Sequence, residues 1–444
     1  MDPASRVLVG DLLIENDRIA AVGDVTAPLA KLRGGKADQA IDASGALVMP
    51  GFVHGHLHLC QTLFRGLAEQ GDLLHWLRDR IWPLEAAHSE ASIAASARLG
   101  LCELIAGGVT CINDMGTVRH TETIGAQLEA SGIRAVFGKA LMDQGDGVPP
   151  ALIESPKRAL DDALALAGRF DGAAAGRLRV ALAPRFILSC SEGLWRDVAD
   201  AAAERGLVVH THLAESPSEG REVSAAVGTS AARYFAAHGV LGPRFVGAHG
   251  VWLDDEELRA IAGADAALVH CPASNLKLGS GLADVRAWMD ARIRCGLGSD
   301  GAACSNRLDT FHEMSLAGLV SRVRPAVPGA GAAAPPLTAR AIVALATCEG
   351  ARALGLGDAI GSLEAGKQAD VIVVDARRPH CGPDPEHDPY TTLVHASRAG
   401  DVVMTMVAGR MLQHDGAWTT LDPGRAVADA RAEARGVLRR AGLA

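Results

Sequence analysis

Three histidines alternate along one short stretch of the chain, GFVHGHLHLCQT at residues 51–62. Imidazole nitrogens bind metals, so His54, His56 and His58 are candidate ligands. In an extended strand, residues at i, i+2 and i+4 share one face, so all three rings could point the same way. His54 and His58 would then lie roughly 13 Å apart at about 3.3 Å per residue, whereas a zinc–nitrogen bond is about 2.1 Å. One ion can therefore bind two adjacent histidines of this stretch but not all three.

Further groups that could bind metal or move protons end later apolar segments of the chain. His212 and Glu215 end the segment LVVHTHLAE, His249 lies in RFVGAHG, and Asp300 ends IRCGLGSD. His270, in AALVHCPAS, is as compatible with a structural role as with a functional one. A metal-activated water combined with a carboxylate that transfers protons is the chemistry these groups offer.

Eight short apolar runs must position these residues, and amphipathic segments with helical spacing separate the runs. Strands that alternate with helices in this number predict a (β/α)8 TIM-like barrel. The predicted strands lie in residues 46–58, 108–115, 133–142, 177–186, 207–215, 244–250, 266–274 and 293–300. Ser191 and Asp254 are the expected N-caps of two of the helices, at 191–206 and 254–264.

Barrel enzymes build their sites at the carboxyl ends of the strands, so the polar strand ends are expected to meet at one rim. We expect His56, His58, His212 and Asp300 to bind the metal, with a position left open for water. His54 lies deeper in its strand and is expected to pack or to support a ligand. His210 precedes His212 by two residues and is likewise expected to lie below the rim.

The two ends of the chain predict a second, smaller unit. Residues 7–23 and 361–410 have strand-like patterns with turn signals, and 423–442 resembles a charged helix. We therefore expect a small β-sandwich built from both termini, with 1–48 and 358–444 in this composite domain and 49–357 in the barrel. The segment AVPGAGAAAPPL, 326–337, is expected to be a flexible loop near the barrel top.

Composition limits the classes of function. Of 444 residues, 48% are hydrophobic and 21% charged, and the net charge is −9 with no basic run. These values argue against binding to nucleic acid or to an anionic membrane. Nine scattered cysteines without a C-x-x-C pair, and no apolar run of membrane-spanning length, favour a cytoplasmic protein with reduced thiols. A small-molecule substrate and a homo-oligomer are expected.

Two short motifs have alternative interpretations. Gly296, Gly298 and Gly301 match G-x-G-x-x-G, but no long βα unit with a downstream ribose-binding acid follows, which argues against a dinucleotide site. His88 and Glu90 match the H-x-E of another class of zinc deaminase, but the P-C-x-x-C of that class is missing.

Several longer motifs resemble the amidohydrolase superfamily over nearly the whole chain. They are MPGFVHGHLH, HTHLAE, AHGVWL, HCPASNLKLGSG and GLGSDGAACSNRLDTFHEM, with IGSLEAGKQADVIVVD in the C-terminal β-domain. These motifs are similar to those of the branch that includes adenine-nucleoside deaminases, 8-oxoguanine deaminase and s-triazine hydrolases. Members of this branch usually carry a strand before the equivalent of residue 1, so we expect either a missing edge strand or a start further upstream.

The resemblance implies one divalent metal per chain, zinc before Fe²⁺, on His56, His58, His212 and Asp300. Glu215 would carry a proton to a ring nitrogen, and His249 would hold the attacking water. A single metal also fits the residues themselves, because two-metal relatives need a carboxylated lysine near the end of the fourth strand. That strand ends in Arg185, which cannot become a neutral amine.

Substrate contacts follow from the same resemblance. The segment WLRDRIWPLE makes Trp76 a stacking candidate and Glu85 a candidate for the ribose hydroxyls of a nucleoside. Lys139 stands where the branch often has Arg, and Arg185 stands where it often has His. We include both as substrate-binding candidates, with Glu215, and these departures leave the 5′ substituent and the nucleoside itself open.

The implied activity is a metal-dependent hydrolytic deamination of the cyclic amidine type, releasing ammonia from an adenine-type nucleoside. The alternatives are a free oxidised purine or pterin, or an s-triazine that loses an amino group or chloride. A non-catalytic scaffold is the remaining alternative, and it is disfavoured because the chain keeps all four ligand candidates as well as Glu215 and His249.

Overall fold

The computed structural model describes residues 6–32, 35–69, 71–326, 335–382 and 388–443. Most of the predicted loop 326–337 therefore lies outside the described residues. Within those ranges the strands are β1 Asp11–Glu15, β2 Arg18–Gly23, β3 Leu47–Pro50, β4 Phe52–His58, β5 Val109–Asp114, β6 Arg134–Leu141, β7 Leu178–Pro184, β8 Val208–Leu213, β9 Phe245–His249, β10 Ala267–His270, β11 Arg294–Leu297, β12 Asp300–Gly301, β13 Val371–Val374, β14 Val402–Val407, β15 Arg410–His414 and β16 Ala417–Trp418.

Helices connect these strands and cover the barrel. They are α1 Thr26–Ala30, α2 Leu73–Trp76, α3 Trp82–Ala86, α4 Glu90–Ala106, α5 Thr121–Ser131, α6 Pro156–Phe170, α7 Ala173–Gly176, α8 Glu192–Arg205, α9 Pro217–Val227, α10 Ala231–Ala237, α11 Asp255–Gly263, α12 Pro272–Lys277, α13 Val285–Asp290, α14 Thr310–Val323, α15 Ala339–Leu345, α16 Cys348–Ala353, α17 Pro389–His395 and α18 Pro423–Arg440. Ser191 and Asp254 cap α8 and α11, as the sequence predicts, by accepting hydrogen bonds from backbone N–H groups.

Eight parallel strand positions close into a barrel. Strands β4 to β11 pair in chain order, and β11 returns to β4 through Leu297 opposite His54. The eighth position is split, because β12 continues it and places Asp300 beside Leu57 and Gly301 beside His58. Every residue of β4, β5 and β6 is buried, as expected for strands between a filled barrel interior and a layer of helices. The predicted TIM-like barrel is confirmed.

Strands from both ends of the chain form the second unit. The antiparallel sheet has the order β16-β15-β14-β13-β3, and β1 pairs with β2 in a separate hairpin. The two sheets share an apolar core that includes Ile19, Val371 and Met404. A buried ion pair between Arg134 on β6 and Asp370 before β13 joins this unit to the barrel, with Nε–Oδ2 at 2.9 Å. The predicted β-domain from both termini is therefore confirmed as part of the fold.

The C-terminal helix and the cysteines complete the description. Helix α18 lies near the predicted position and packs on barrel helix α4, where Arg98 and Asp429 form an ion pair at 3.0 Å. All nine cysteines are free. Across the described ranges, no helix has the length and apolar character that a membrane crossing requires.

Candidate active site

The histidines of β4 separate into two environments. The ring of His54 is bonded on both sides within the fold: Nε2 lies 2.6 Å from Ser299 Oγ, and Nδ1 lies 3.2 Å from Thr310 Oγ1. Burial lowers the pKa of His54 to about 3, so this ring stays neutral. His56 and His58, by contrast, project toward Asp300, with each Nε2 atom 3.4 Å from Oδ1 of that carboxylate.

Strand ends from around the barrel converge on the same point. His212 Nε2 lies 3.2 Å from His58 Nε2. One ligand atom from each of His56, His212, His249 and Asp300 lies within 4.8 Å of the others. The structure therefore brings all five predicted metal and water-holding residues together. His249 belongs to the set of four, whereas the predicted ligand His58 meets that set through His212 and Asp300.

Hydrogen bonds determine which nitrogen carries the proton in two of these rings. His212 Nδ1 lies 2.7 Å from the backbone oxygen of Arg185, which can only accept, so Nδ1 carries the proton and Nε2 is free. His249 Nδ1 lies 2.9 Å from Asn275 Oδ1 and donates to it, so its Nε2 faces the cluster. Such outer bonds orient a metal-binding imidazole and choose its tautomer.

His56 is oriented by another histidine. Its Nδ1 lies 2.9 Å from His210 Nε2. For His56 Nε2 to bind a metal, the proton of the neutral ring must be on Nδ1, and His210 Nε2 then accepts it. His210 is fully buried, and its Nδ1 has no hydrogen-bond partner among the described residues. His210 therefore lies below the rim and supports His56 rather than facing the cluster.

Replacing His210 by alanine is expected to weaken metal binding by about 10- to 100-fold, the usual effect of losing the partner that orients a metal-binding histidine. Competition with a chelator of known affinity measures the change. His270→Ala removes another buried barrel histidine and is the control, expected to leave the affinity near that of the wild type. Equal losses in both variants would contradict a specific role for His210.

The cluster has the features of a metal site. His56 Nε2 and His249 Nε2 are buried without a hydrogen-bond partner among the described residues. A buried polar atom without a partner is costly, and an ion between the rings would satisfy these lone pairs. Three or more imidazoles with one carboxylate form a donor set that suits zinc and leaves a position for water. The residues present therefore fit a divalent metal.

Asp300 is held as an anion. Burial alone would raise the pKa of its carboxyl group, but the neighbouring imidazoles of His56, His249 and His58 hold that pKa well below its ordinary value. Ser274 Oγ also donates to Asp300 Oδ2 at 2.7 Å. An ionised carboxylate at this position can bind a metal and can accept a proton from water.

Glu215 is held in the opposite state. Burial raises the pKa of its carboxyl group well above the ordinary value, and the charges of Asp300 and Glu219 raise it further. Ser280 Oγ donates to Glu215 Oε1 at 3.3 Å, and Glu215 Oε2 lies 3.5 Å from His249 Nε2. Two neighbouring carboxyl groups whose pKa values are shifted in opposite directions form an acid and base pair.

A pocket opens on these groups. Trp76 and Arg185, two of the predicted substrate contacts, lie in its wall, and the Trp76 indole is fixed by donation to the backbone oxygen of Ala68 at 3.0 Å. The lining residues are His58, Gln61, Leu73, Trp76, Leu77, Arg185, Phe186, His212, Glu215, Glu219 and Asp300. The mixture of apolar wall and polar base suits a small organic molecule.

Glu85 and Lys139, the two predicted substrate contacts outside the cavity wall, form hydrogen bonds with protein groups instead. Glu85 is buried behind the wall and accepts from Arg185 Nη1 at 2.5 Å, from Arg185 Nη2 at 3.2 Å and from Gln61 Nε2 at 2.9 Å. Lys139 forms a buried ion pair with Glu154. Neither Glu85 nor Lys139 is among the described residues that line the cavity.

Sequence reasoning missed five polar residues of the site. Gln61 and Glu219 lie in the cavity wall, and Ser274, Asn275 and Ser280 bond to predicted catalytic groups. The last three lie inside the motif HCPASNLKLGSG, which marked the segment but not the roles of its members. Serine and asparagine are common in turns, so their types alone do not separate such a role from a turn-forming one.

Comparison with known proteins agrees with this fold and site. A sequence model of the amidohydrolase family matches residues 47–412. The chain therefore belongs to the amidohydrolase family, and this membership confirms the resemblance and the predicted hydrolase class.

Individual relatives cover nearly the whole chain. A 5′-deoxyadenosine deaminase of Methanothermobacter thermautotrophicus is 38% identical over 93% of this chain and 91% of its own length. A 5-methylthioadenosine/S-adenosylhomocysteine deaminase of Natronomonas pharaonis is 36% identical over 99% and 97%. The crystal structure of an adenosine deaminase from Xanthomonas campestris with bound zinc superposes with a TM-score of 0.87 at 29% identity, covering 96% of this chain and 93% of that one.

Proposed function

We propose that the chain is a metal-dependent deaminase that hydrolyses the C–N bond of a cyclic amidine in an adenine-type nucleoside and releases ammonia. The observation that carries this proposal is the cluster of His56, His212, His249 and Asp300, whose ligand atoms lie within 4.8 Å of one another, with Glu215 Oε2 beside it at 3.5 Å from His249 Nε2. Hydrolytic deamination needs both a base for the attacking water and an acid for the ring. Relatives named as deaminases of 5′-deoxyadenosine and of 5-methylthioadenosine support the same activity.

We assign the metal to His56, His58, His212 and Asp300, with zinc as the ion. A bound zinc ion would lower the pKa of a coordinated water toward neutrality. The short approach of His58 Nε2 to the unprotonated Nε2 of His212 supports this ligand set. His249 is assigned to the attacking water, because its Nε2 faces Glu215 and Asp300 at 3.5 and 3.9 Å.

The residues of the chain then divide the proton transfers. Asp300 accepts the proton of the attacking water, while His249 orients that water through Nε2. Glu215 donates its proton to the ring nitrogen beside the carbon under attack. This donation neutralises the negative charge that would otherwise build up on the ring as the tetrahedral carbon forms. Asp300 then passes the proton that it took from water to the amino group, which leaves as ammonia. The hydroxyl proton of the tetrahedral carbon returns to Glu215 as the carbonyl group forms.

Substrate recognition depends on the Glu85 network. A carboxylate has about four acceptor positions, and Arg185 and Gln61 use three of those on Glu85. Two vicinal ribose hydroxyls can therefore reach Glu85 only if Gln61 gives up its bond. Trp76 is proposed to stack on the base, and Arg185 to donate its remaining N–H groups to the substrate. For Lys139, the ion pair with Glu154 supports a structural role. Cytoplasmic location and a homo-oligomer remain predictions.

Glu85→Gln is expected to lower kcat/KM for a nucleoside at least about tenfold more than for the free base, because a ribose hydroxyl loses its charged acceptor. Glutamine is preferred to alanine, because it keeps the volume of the side chain and one oxygen that can still accept from Arg185. Adenosine, 5′-deoxyadenosine, methylthioadenosine, adenine, 8-oxoguanine, a pterin and an aminotriazine form the substrate panel, with ammonia release as the readout.

The same panel decides between the nucleoside and the alternatives. If free 8-oxoguanine, pterin or triazine is turned over best and Glu85→Gln affects all compounds alike, the nucleoside assignment is wrong. If the metal-loaded wild type releases ammonia from none of them, the deaminase proposal itself is contradicted.

A further inference from the structure

One short segment of the chain contacts all three groups that handle protons in the proposed reaction. The segment is residues 274–280, from the middle of α12 to the turn that follows it. Its first residue, Ser274, donates to Asp300 Oδ2 at 2.7 Å. The next residue, Asn275, accepts from His249 Nδ1 at 2.9 Å. Adjacent residues on one helical turn thus hold the base and the water-orienting imidazole.

The end of the segment reaches the acid. Ser280 Oγ donates to Glu215 Oε1 at 3.3 Å, and the Ser280 backbone N–H donates to the backbone oxygen of Asn275 at 2.8 Å. The turn is therefore tied back onto the helix, so that the contacts to His249 and Glu215 cannot shift independently. Ser274, Asn275 and Ser280 are each at most 1% exposed, so bulk solvent does not reach them.

Two of the three groups need such support. His249 has φ +79° and Asp300 has φ +62°, both in the left-handed region. Residues other than glycine in this conformation are strained and persist only where their surroundings fix them. Both side chains form a hydrogen bond with the segment, so these bonds keep the two strained strand ends directed at the cluster.

The segment is itself anchored at two points, just before its first residue and near its middle. Glu313 on α14 is fully buried and accepts the Ala273 N–H at 3.1 Å through Oε2. Lys277 Nζ donates to the backbone oxygen of Ala303 at 3.1 Å. These anchors come from elements that follow Asp300 in the chain, so the segment is fixed to the part of the barrel that carries the base.

We propose that residues 274–280 are a positioning segment whose side chains set the relative orientation of Asp300, His249 and Glu215. This inference rests on the proposed function, because it assigns the geometry of the same three groups. Asn275 is the decisive member. Its Oδ1 accepts from His249, whereas its Nδ2 has no partner among the described residues, so only an acceptor is required at this position.

The requirement for an acceptor separates two variants of nearly equal size. Asn275→Leu keeps the volume but offers no acceptor, and it is expected to lower kcat by about tenfold or more with little change in KM. Asn275→Asp restores an acceptor for His249 Nδ1 and is expected to recover most of that loss. Zinc content should match the wild type in both variants, since His249 is not an assigned ligand. If both variants lose the same kcat, the loss reflects packing and the proposal is wrong.

A second measurement does not depend on turnover. In crystal structures of the zinc-loaded variants, the His249 ring should be rotated out of the site in Asn275→Leu and in place in Asn275→Asp. An unchanged ring in Asn275→Leu overturns the positioning role whatever the activity. A wild type that releases no ammonia would contradict the deaminase proposal alone, provided that the His249 ring is rotated out of the site in Asn275→Leu as expected. The two failures are therefore distinguishable.

Discussion

Glu215→Gln is expected to bind its metal as tightly as the wild type and to lose at least ~10² in kcat, the typical contribution of a general acid. Glutamine keeps the size of the side chain and still offers an oxygen to Ser280, but it has no proton to deliver to a ring nitrogen. The carboxyl group lies beside the histidine cluster and is held protonated by burial and by Asp300, which suits it to donation. Metal analysis and steady-state kinetics on the same preparation measure both quantities.

Glu219→Gln provides the matched control for this variant. Glu219 is buried one helical turn away and accepts the Glu215 backbone N–H at 2.7 Å through Oε2, a bond that a glutamine oxygen can also accept. Glu219 also lines the cavity, but its Oε2 accepts from the backbone N–H groups of Glu215 and Ser216, so a loss of kcat smaller than that of Glu215→Gln is expected. Loss of metal in Glu215→Gln would instead place Glu215 among the ligands, and equal losses of kcat in both variants would point to a general effect of charge.

His56→Ala is expected to lose metal and activity together, whereas His54→Ala should keep the metal. The two residues differ by one step along the same face of β4, yet His56 Nε2 points at Asp300 and His54 is bonded to Ser299 and Thr310. An ion that keeps three of four ligands is held far more weakly, because each ligand contributes to the binding free energy. Elemental analysis after dialysis against a mild chelator reads out the difference.

His249→Ala tests the remaining ambiguity of the cluster. His249, and not the assigned ligand His58, belongs to the set of four residues whose ligand atoms lie within 4.8 Å of one another. On the proposed assignment this variant keeps one metal per chain and loses activity. If it loses the metal while His58→Ala retains it, then His249 replaces His58 in the ligand set. If His54→Ala strips the ion, the ligands begin one step earlier in β4.

The sequence was informative about the site where spacing alone carries the chemistry. Alternation in HGHLH places His56 and His58 on one face, and parallel strands bring distant strand ends such as Asp300 to one rim. These inferences depend only on periodicity and on barrel geometry, and the structure brings the residues together. The strands and both caps were predicted for the same reason, since apolar runs and capping residues act locally.

Periodicity and barrel geometry could not predict which side chains form hydrogen bonds and ion pairs across long distances in the sequence. Nothing in the local sequence of Glu85 shows that Arg185, a hundred residues further on, occupies its oxygens. The pairing of Lys139 with Glu154 depends in the same way on where two side chains meet in space. Asn275 illustrates the converse case: its motif was recognised, but its bond to His249 depends on the angle of α12 to β9.

The pairing of β3 with β13 has a consequence for how the chain folds during synthesis. Val371 lies opposite Pro50, so more than 300 residues separate the two partners. At roughly 5–20 residues per second on the ribosome, strand β3 waits on the order of a quarter of a minute to a minute for β13. The barrel also stays open at β4 until β11 has emerged. Throughout this interval the unpaired apolar edges of β3 and β4 are exposed to other chains, and binding by a chaperone would protect them.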